Sequence, residues 1–337
     1  MKKNKMLCIL LTVTIPLLLL CACGSSPKTK KSVVILDSDF GTDDAIALLL
    51  AGNTSRDIFD YIVASQGNTS LDNAVKNAII LKAYLGVDAT IVQGIPLSAD
   101  KNVNEEEAYT FHGSDGIGNM QATLEKSLGI TKEQLDDYIK FDKLAEELAK
   151  VDEIIYITIG PTSNLANLID NEKIKSKISA VYMMGGGINE FNCEHNTEYN
   201  FSADPESVKK ILDSGLNITL FPLDLTNHQV ISSDMIEDFK KGGAFPEFIE
   251  FLKFNLQSNE SMNNNPLVEM HDSIPVLYHI SPELFQLKDM KITVDEYGST
   301  KLSDDGALLH VATGVEDSLP KLLKDIFSKT GESERKN

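Results

Sequence analysis

Apolar and polar positions alternate along the chain in blocks of two kinds. Ser32-Val33-Val34-Ile35-Leu36 is a short β-branched run bounded by charge, the pattern of a strand buried on both faces of a parallel sheet. Similar runs recur at residues 61–65, 90–93, 154–159, 180–184, 218–223, 290–294 and 308–312. Between most of them lie longer stretches with helical periodicity, at 45–51, 71–85, 132–149, 205–214, 245–262 and 319–327. Strands alternating with helices predict an α/β fold, an open, mostly parallel or mixed sheet flanked by helices. No linker divides the pattern, and one domain over residues 32–330 is expected, followed by a polar tail at 331–337.

The first 31 residues follow different rules. Lys2, Lys3 and Lys5 precede an apolar stretch from Met6 to Leu20, which reads as an export signal. Its end, Leu20-Cys21-Ala22-Cys23-Gly24, resembles a bacterial lipobox, although Cys21 is unusual at its position. The expectation is a signal peptide over residues 1–22, Cys23 as the lipidated first residue of the mature chain, a polar tether over 23–31, and a protein anchored to the outer face of a bacterial membrane. An ordinary cleaved signal or an uncleaved anchor is the alternative.

Removing that segment takes three lysines and no acids, leaving 28 basic against 50 acidic side chains, a net charge of −22. So acidic a surface disfavours nucleic acid as a partner. Cys193 is then the one cysteine besides the modified Cys23, so the core has no internal disulfide.

Chemistry concentrates where the first strand ends. Asp37-Ser38-Asp39-Phe40-Gly41-Thr42-Asp43-Asp44-Ala45 sets four carboxylates on a strand-to-helix turn, the edge of an α/β sheet at which ligands bind. Like charges this close raise one another's pKa unless a cation neutralises them. All-oxygen ligands fit Ca²⁺ or Mg²⁺. A solvated acidic turn capping a helix is the plainer reading. Other strand ends carry polar residues too: Gln66-Gly67-Asn68, a glycine-rich loop around His112, Gly160-Pro161-Thr162-Ser163-Asn164, Met184-Gly185-Gly186-Gly187, Glu198-Tyr199-Asn200 and His271-Asp272.

Taken together and in this order, these blocks resemble the inosine–uridine-preferring nucleoside hydrolases. Residues 37–45 resemble that family's Asp-x-Asp-Pro-Gly-x-Asp-Asp-Ala signature, with Phe40 in place of the usual proline. The resemblance runs from about Val33 to Leu323 and implies a sheet of about eight strands. It implies a bound Ca²⁺ held by Asp39, Asp44, Asp272 and the main-chain carbonyl of Ile159, with Asp37 supporting them. It implies hydrolysis of the N-glycosidic bond of ribonucleosides. Asp39 is then the general base, His271 the candidate acid for the leaving base, and Asp43 and Asn200 the grip on the 2′- and 3′-hydroxyls. Asn192 and Glu198 hold the 5′-hydroxyl, Asn68 sits near the ribose, and Met184, Tyr199 and His112 line the substrate site. Family members are commonly homodimers or homotetramers.

The base stays open. The absence of Trp argues against the branch that stacks purines between tryptophans, yet residues 246–270 lack the Tyr common among pyrimidine-preferring members. The rival function is a lipoprotein that binds nucleosides without cleaving them.

Overall fold

The computed structural model describes residues 31–98, 101, 105–244 and 246–328. The expected signal at 1–22, the lipidation site Cys23 and the tail at 331–337 lie outside the described residues. Among the described residues, no helix is long and apolar enough to cross a membrane.

Ser32–Ser38 forms β1, and the strands that follow are β2 (Tyr61–Ala64), β3 (Thr90–Gln93), β4 (Ile139–Lys140), β5 (Glu153–Thr158) and β6 (Ile178–Met184). The remainder are β7 (Ile218–Phe221), β8 (Val230–Ser232), β9 (Leu267–Glu269), β10 (Phe285–Val294), β11 (Thr300–Leu302) and β12 (Ala307–Val315). The main sheet runs in the order β11-β10-β12-β7-β6-β5-β1-β2-β3-β4. Every neighbouring pair from β12 to β4 is parallel, and β10 is antiparallel to both β11 and β12. A separate antiparallel pair joins β8 to β9.

The α/β class and the mostly parallel sheet agree with the sequence pattern; the sheet has ten strands rather than about eight. The additional edge strands are short. β4 is two residues long and pairs with Val92 and Gln93, too brief to register as an apolar run. It also divides the helix expected over 132–149, which is instead two helices, Lys132–Leu135 and Phe141–Leu148, separated by a turn through Asp136 and Asp137.

Alternation along β1 explains its central place. Val33 and Ile35 pack into the apolar core on one side of the strand, whereas Leu36 belongs to the core formed with the helices Thr42–Thr54 and Leu71–Leu85. With β5 on one side and β2 on the other, the C-terminal end of β1 is flanked by the strand ends that carry Ile159 and Asn68.

Phe40 follows this strand with φ 55°, in the left-handed region, and its side chain is fully buried. A bulky residue held there costs about 1–3 kcal/mol. Proline, whose ring holds φ near about −65°, cannot occupy this backbone, which accords with Phe40 standing where the family signature has proline.

Candidate active site

Asp37, Asp39, Asp44 and Asp272 are all essentially buried, at 0%, 0%, 1% and 3% exposure. A merely solvated acidic turn is thereby excluded for them. Asp44 does cap its helix, accepting the Gly41 N–H at 2.7 Å, but its other oxygen takes the Ser38 hydroxyl at 2.6 Å. Burial, followed by the charge of Asp43, pushes the Asp44 carboxyl up to about 7. Burial and neighbouring carboxylates also raise Asp39 and Asp272 well above the usual range.

Oxygens of Asp43, Asp44 and Asp272 lie within 4.8 Å of one another. Two residues at the start of one helix thus meet a third that immediately precedes another helix, Ser273–Ile280. Asp43, expected to grip ribose, belongs to this trio, and its buried Oδ1 has no hydrogen-bond partner. Asp39 stands beside the trio: Asn68 Nδ2 bridges Asp39 Oδ1 at 3.3 Å and Asp44 Oδ2 at 3.2 Å. Asp39 Oδ2 is held separately by the Asn68 N–H at 2.8 Å.

Buried, mutually repelling carboxylates, one with an oxygen that has no hydrogen bond and only His112 Nδ1 at 3.7 Å beside it, suit a hard divalent cation, because leaving them charged and uncompensated costs roughly several kcal/mol apiece. Asp37 is engaged by a different set of partners. It accepts hydrogen bonds from Tyr156 at 2.6 Å, Asn164 at 3.2 Å and Ser65, and burial raises its pKa to about 6 despite those donors.

Missing side chains make this convergence possible. A Cβ on Gly67 would overlap Asp39 Oδ2, and one on Gly160 would lie 2.9 Å from Asp39 Oδ1. One on Gly41 would lie 2.5 Å from Asn68 Nδ2 and 2.8 Å from His112 Nδ1.

A cavity of about 480 Å³ opens at the trio, within the range of small-molecule sites. Asp43, Asn68, His112, Ile159 and Asp272 line its acidic end. Met184, Asn192, Glu198, Tyr199 and Asn200 form another wall. Asp37, Asp39 and Asp44 are not wall residues. Glu198 accepts N–H groups from Gly186, Asn200 and Phe201 at 2.9, 2.9 and 3.1 Å, so it caps the helix Tyr199–Ala203, while burial raises its pKa. Asn200 Nδ2 donates to the Ile159 carbonyl at 3.3 Å and lies 3.3 Å from Met184 Sδ. Asn192 Oδ1 accepts the Tyr199 N–H at 3.0 Å.

The two histidines are held differently. The Thr42 N–H donates to His112 Nδ1 at 3.1 Å, which leaves any ring proton on Nε2, and burial lowers the His112 pKa. His271 Nδ1 meets the Thr226 hydroxyl at 2.8 Å and Nε2 faces Glu269 at 3.4 Å. Burial works against protonation of His271, but Glu269, Asp43 and Glu198 outweigh it and its pKa rises.

Sequence reasoning did not single out Glu269, Asn227, Asn255 or Asn259, all of which line the cavity; Asn263 and Asn265, from a run of three asparagines that reads in the sequence as a small insertion beside the pocket, line it as well. For Glu269 a signal exists in the apolar/polar alternation of Val268-Glu269-Met270-His271; in the structure residues 267–272 alternate half-buried with buried, so Glu269 at the end of β9 and His271 in the turn beyond it face the same way.

The chain is 28% identical over 286 residues to the non-specific ribonucleoside hydrolase RihC of Escherichia coli O127:H6, covering 82% of this chain and 89% of that protein. RihC of Shigella boydii serotype 4 is 27% identical over the same length. Among solved structures, the plant nucleoside hydrolase PpNRh1 superposes with a TM-score of 0.79 at 21% identity, covering 89% of this chain and all of that one (100%). The purine-preferring ribonucleoside hydrolase from Gardnerella vaginalis gives 0.74 at 22% identity, with 88% and 97% covered. These two share the fold described above. The family model described as inosine-uridine preferring nucleoside hydrolase matches residues 34–319, and the chain belongs to that family, whose members are hydrolases acting on N-glycosyl bonds.

Proposed function

We propose that this protein hydrolyses the N-glycosidic bond of ribonucleosides in a Ca²⁺-dependent reaction, with Asp39 as general base and His271 as the acid that protonates the leaving base. Family membership carries ribonucleoside hydrolysis in general. The observation that carries the finer reading is the meeting of Asp43, Asp44 and Asp272 at a cavity of nucleoside size.

Asp39, Asp44, Asp272 and the Ile159 carbonyl would hold the cation, with Asp43 as a further carboxylate within reach of it. A Ca²⁺ held there would neutralise the carboxylates and supply Lewis acidity toward water. Asp39 receives the attacking water's proton, and Asn68 Nδ2 stands 3.3 Å from its Oδ1. Asn68 keeps the carboxylate aimed, and Asp37 stays a supporting group engaged by Tyr156, Asn164 and Ser65. Cleavage builds positive charge on the ribose, which the surrounding carboxylates favour. Asn200, Asn192 and Glu198, with Asp43, grip the sugar hydroxyls, while Met184, Tyr199 and His112 shape the site. His271 delivers its proton from Nε2, the nitrogen turned toward Glu269.

The test is release of ribose from adenosine, inosine, cytidine and uridine by the purified protein, with Ca²⁺ and after chelation. Release that depends on Ca²⁺ and on Asp39 supports the reading. Binding without release favours a nucleoside-capturing lipoprotein.

Export and lipidation at Cys23, with tethering to the outer face of a membrane, belong to the same proposal; mass spectrometry of the mature N-terminus checks them. Assembly as a homodimer or homotetramer is checked by light scattering.

A further inference from the structure

We propose that Glu269 makes this cavity select purine ribonucleosides bearing a 6-amino group over their 6-oxo counterparts. The proposal rests on reading the cavity as the substrate site and His271 as the acid for the leaving base.

β9 sets the geometry. Val268 and Met270 are buried, so Glu269 and His271 share the face turned to the cavity. His271 Nε2 and Glu269 Oε2 lie 3.4 Å apart. Thr226 holds the histidine from behind through Nδ1, and Asn265 Nδ2 holds Glu269 Oε1 at 3.3 Å. A hydrogen donor and a carboxylate acceptor therefore stand side by side on one wall. A carboxylate offers about four lone-pair sites and no donor, so Glu269 retains acceptor capacity after those two long contacts. A second acceptor on the cavity wall, the buried Asn255 Oδ1, has no hydrogen-bond partner.

The purine edge next to the leaving imidazole carries N7 and the 6-substituent together. In adenine these are an acceptor and an N–H₂ donor; in a 6-oxopurine they are two acceptors. With His271 addressing N7, the neighbouring 6-position faces Glu269. An amino group there donates to the carboxylate. An oxo group sets lone pairs against a negative charge, a repulsive element of the kind that creates specificity. Glutamate at this place thus opposes the 6-oxo base in the family's descriptive name.

Adenosine and inosine differ only at C6 and in the N1 proton that accompanies it. A hydrogen bond to a charged group predicts kcat/KM for adenosine above that for inosine by roughly ten- to hundredfold. Glu269→Gln, whose amide also donates, is expected to bring the ratio toward unity or invert it; because the carboxylate also faces His271 Nε2, absolute turnover of both nucleosides falls together and the ratio is the quantity read. A wild-type ratio at or below unity overturns the proposal, as does a ratio unchanged by Glu269→Gln. If that variant fails to fold, Glu269→Asp withdraws the carboxylate by one methylene and is expected to shrink the ratio; no change again overturns the proposal. Failure to release ribose from any ribonucleoside refutes the hydrolase reading instead. Calorimetric Kd values for adenosine and inosine then apply the same ratio test to Glu269.

Discussion

Gly67→Ala tests how Asp39, the proposed general base, is held without changing a polar group. A Cβ at this position would overlap Asp39 Oδ2 and lie 2.8 Å from Asp39 Cγ and 2.9 Å from its Cβ. The carboxylate must rotate away, since the strand end beneath it is packed between β2 and β5. It then gives up the Asn68 N–H bond of 2.8 Å. A hydrogen bond to a charged group contributes about 1.5–3 kcal/mol, and an off-rotamer side chain costs about 0.5–1.5 kcal/mol. The expected loss of stability is therefore about 2–4 kcal/mol, read from urea denaturation. A catalytic group displaced by an ångström or so loses roughly 10²-fold in kcat, read as ribose release at saturating nucleoside. Because the effect runs through Asp39, Gly67→Ala combined with Asp39→Asn should be no slower than Asp39→Asn alone. A Gly67→Ala protein with wild-type kcat would refute the argument, and so would losses that multiply in the double variant.

Asp39→Asn by itself should lower kcat by roughly 10²-fold or more, with the secondary structure intact by circular dichroism; near-normal turnover removes the assigned role. Chelation should lower Tm and abolish activity, and Ca²⁺ at a hundred times its Kd should restore about 2.7 kcal/mol of stability; an unchanged Tm with no metal found by elemental analysis counts against the cation. His271→Ala should slow natural ribonucleosides far more than a riboside with an activated aryl leaving group, because only the former need the proton; equal losses make His271 structural. Asp204 accepts from Lys101 at 2.7 Å and from Ser207 at 2.6 Å, and those partners with Ser163 hold its pKa below 3.8 although burial opposes them. A lowered carboxylate pKa adds stability above the unfolded value and loses it as pH falls through the folded one. The stability gap between wild type and Asp204→Asn should thus be widest near neutral pH and close below 3.8; a gap independent of pH refutes the assignment.

What the sequence made legible was local. The β-branched run at 32–36 and the acids behind it identify a strand, a tight turn and a helix, because each signal lies within a few neighbouring residues. The helix at 71–85 was equally plain, with Ser70 capping one end and Gly86 in the left-handed region closing the other. Strand order was not readable, since it depends on pairings between distant segments. β4 escaped notice because two residues carry no periodicity, and it exists through its pairing with β3. Asp43 was assigned to the ribose by resemblance; only the approach of Asp272 groups it with Asp44. Glu269 carries no motif of its own two residues before His271-Asp272, and only the alternation that continues past the end of β9 places it on the same side as the histidine.

Asp43 and Asp44 are made early in the chain, while Asp272 arrives only with the segment that leads into the helix Ser273–Ile280. That helix packs on Thr42–Thr54, so the last carboxylate joins the other two only through a contact between distant parts of the polypeptide. An amino-terminal fragment, however well folded, owns two thirds of the trio and none of its closure. A cation gripped by all three would act as a latch on finished molecules, expected to slow their opening more than it changes the rate of their assembly.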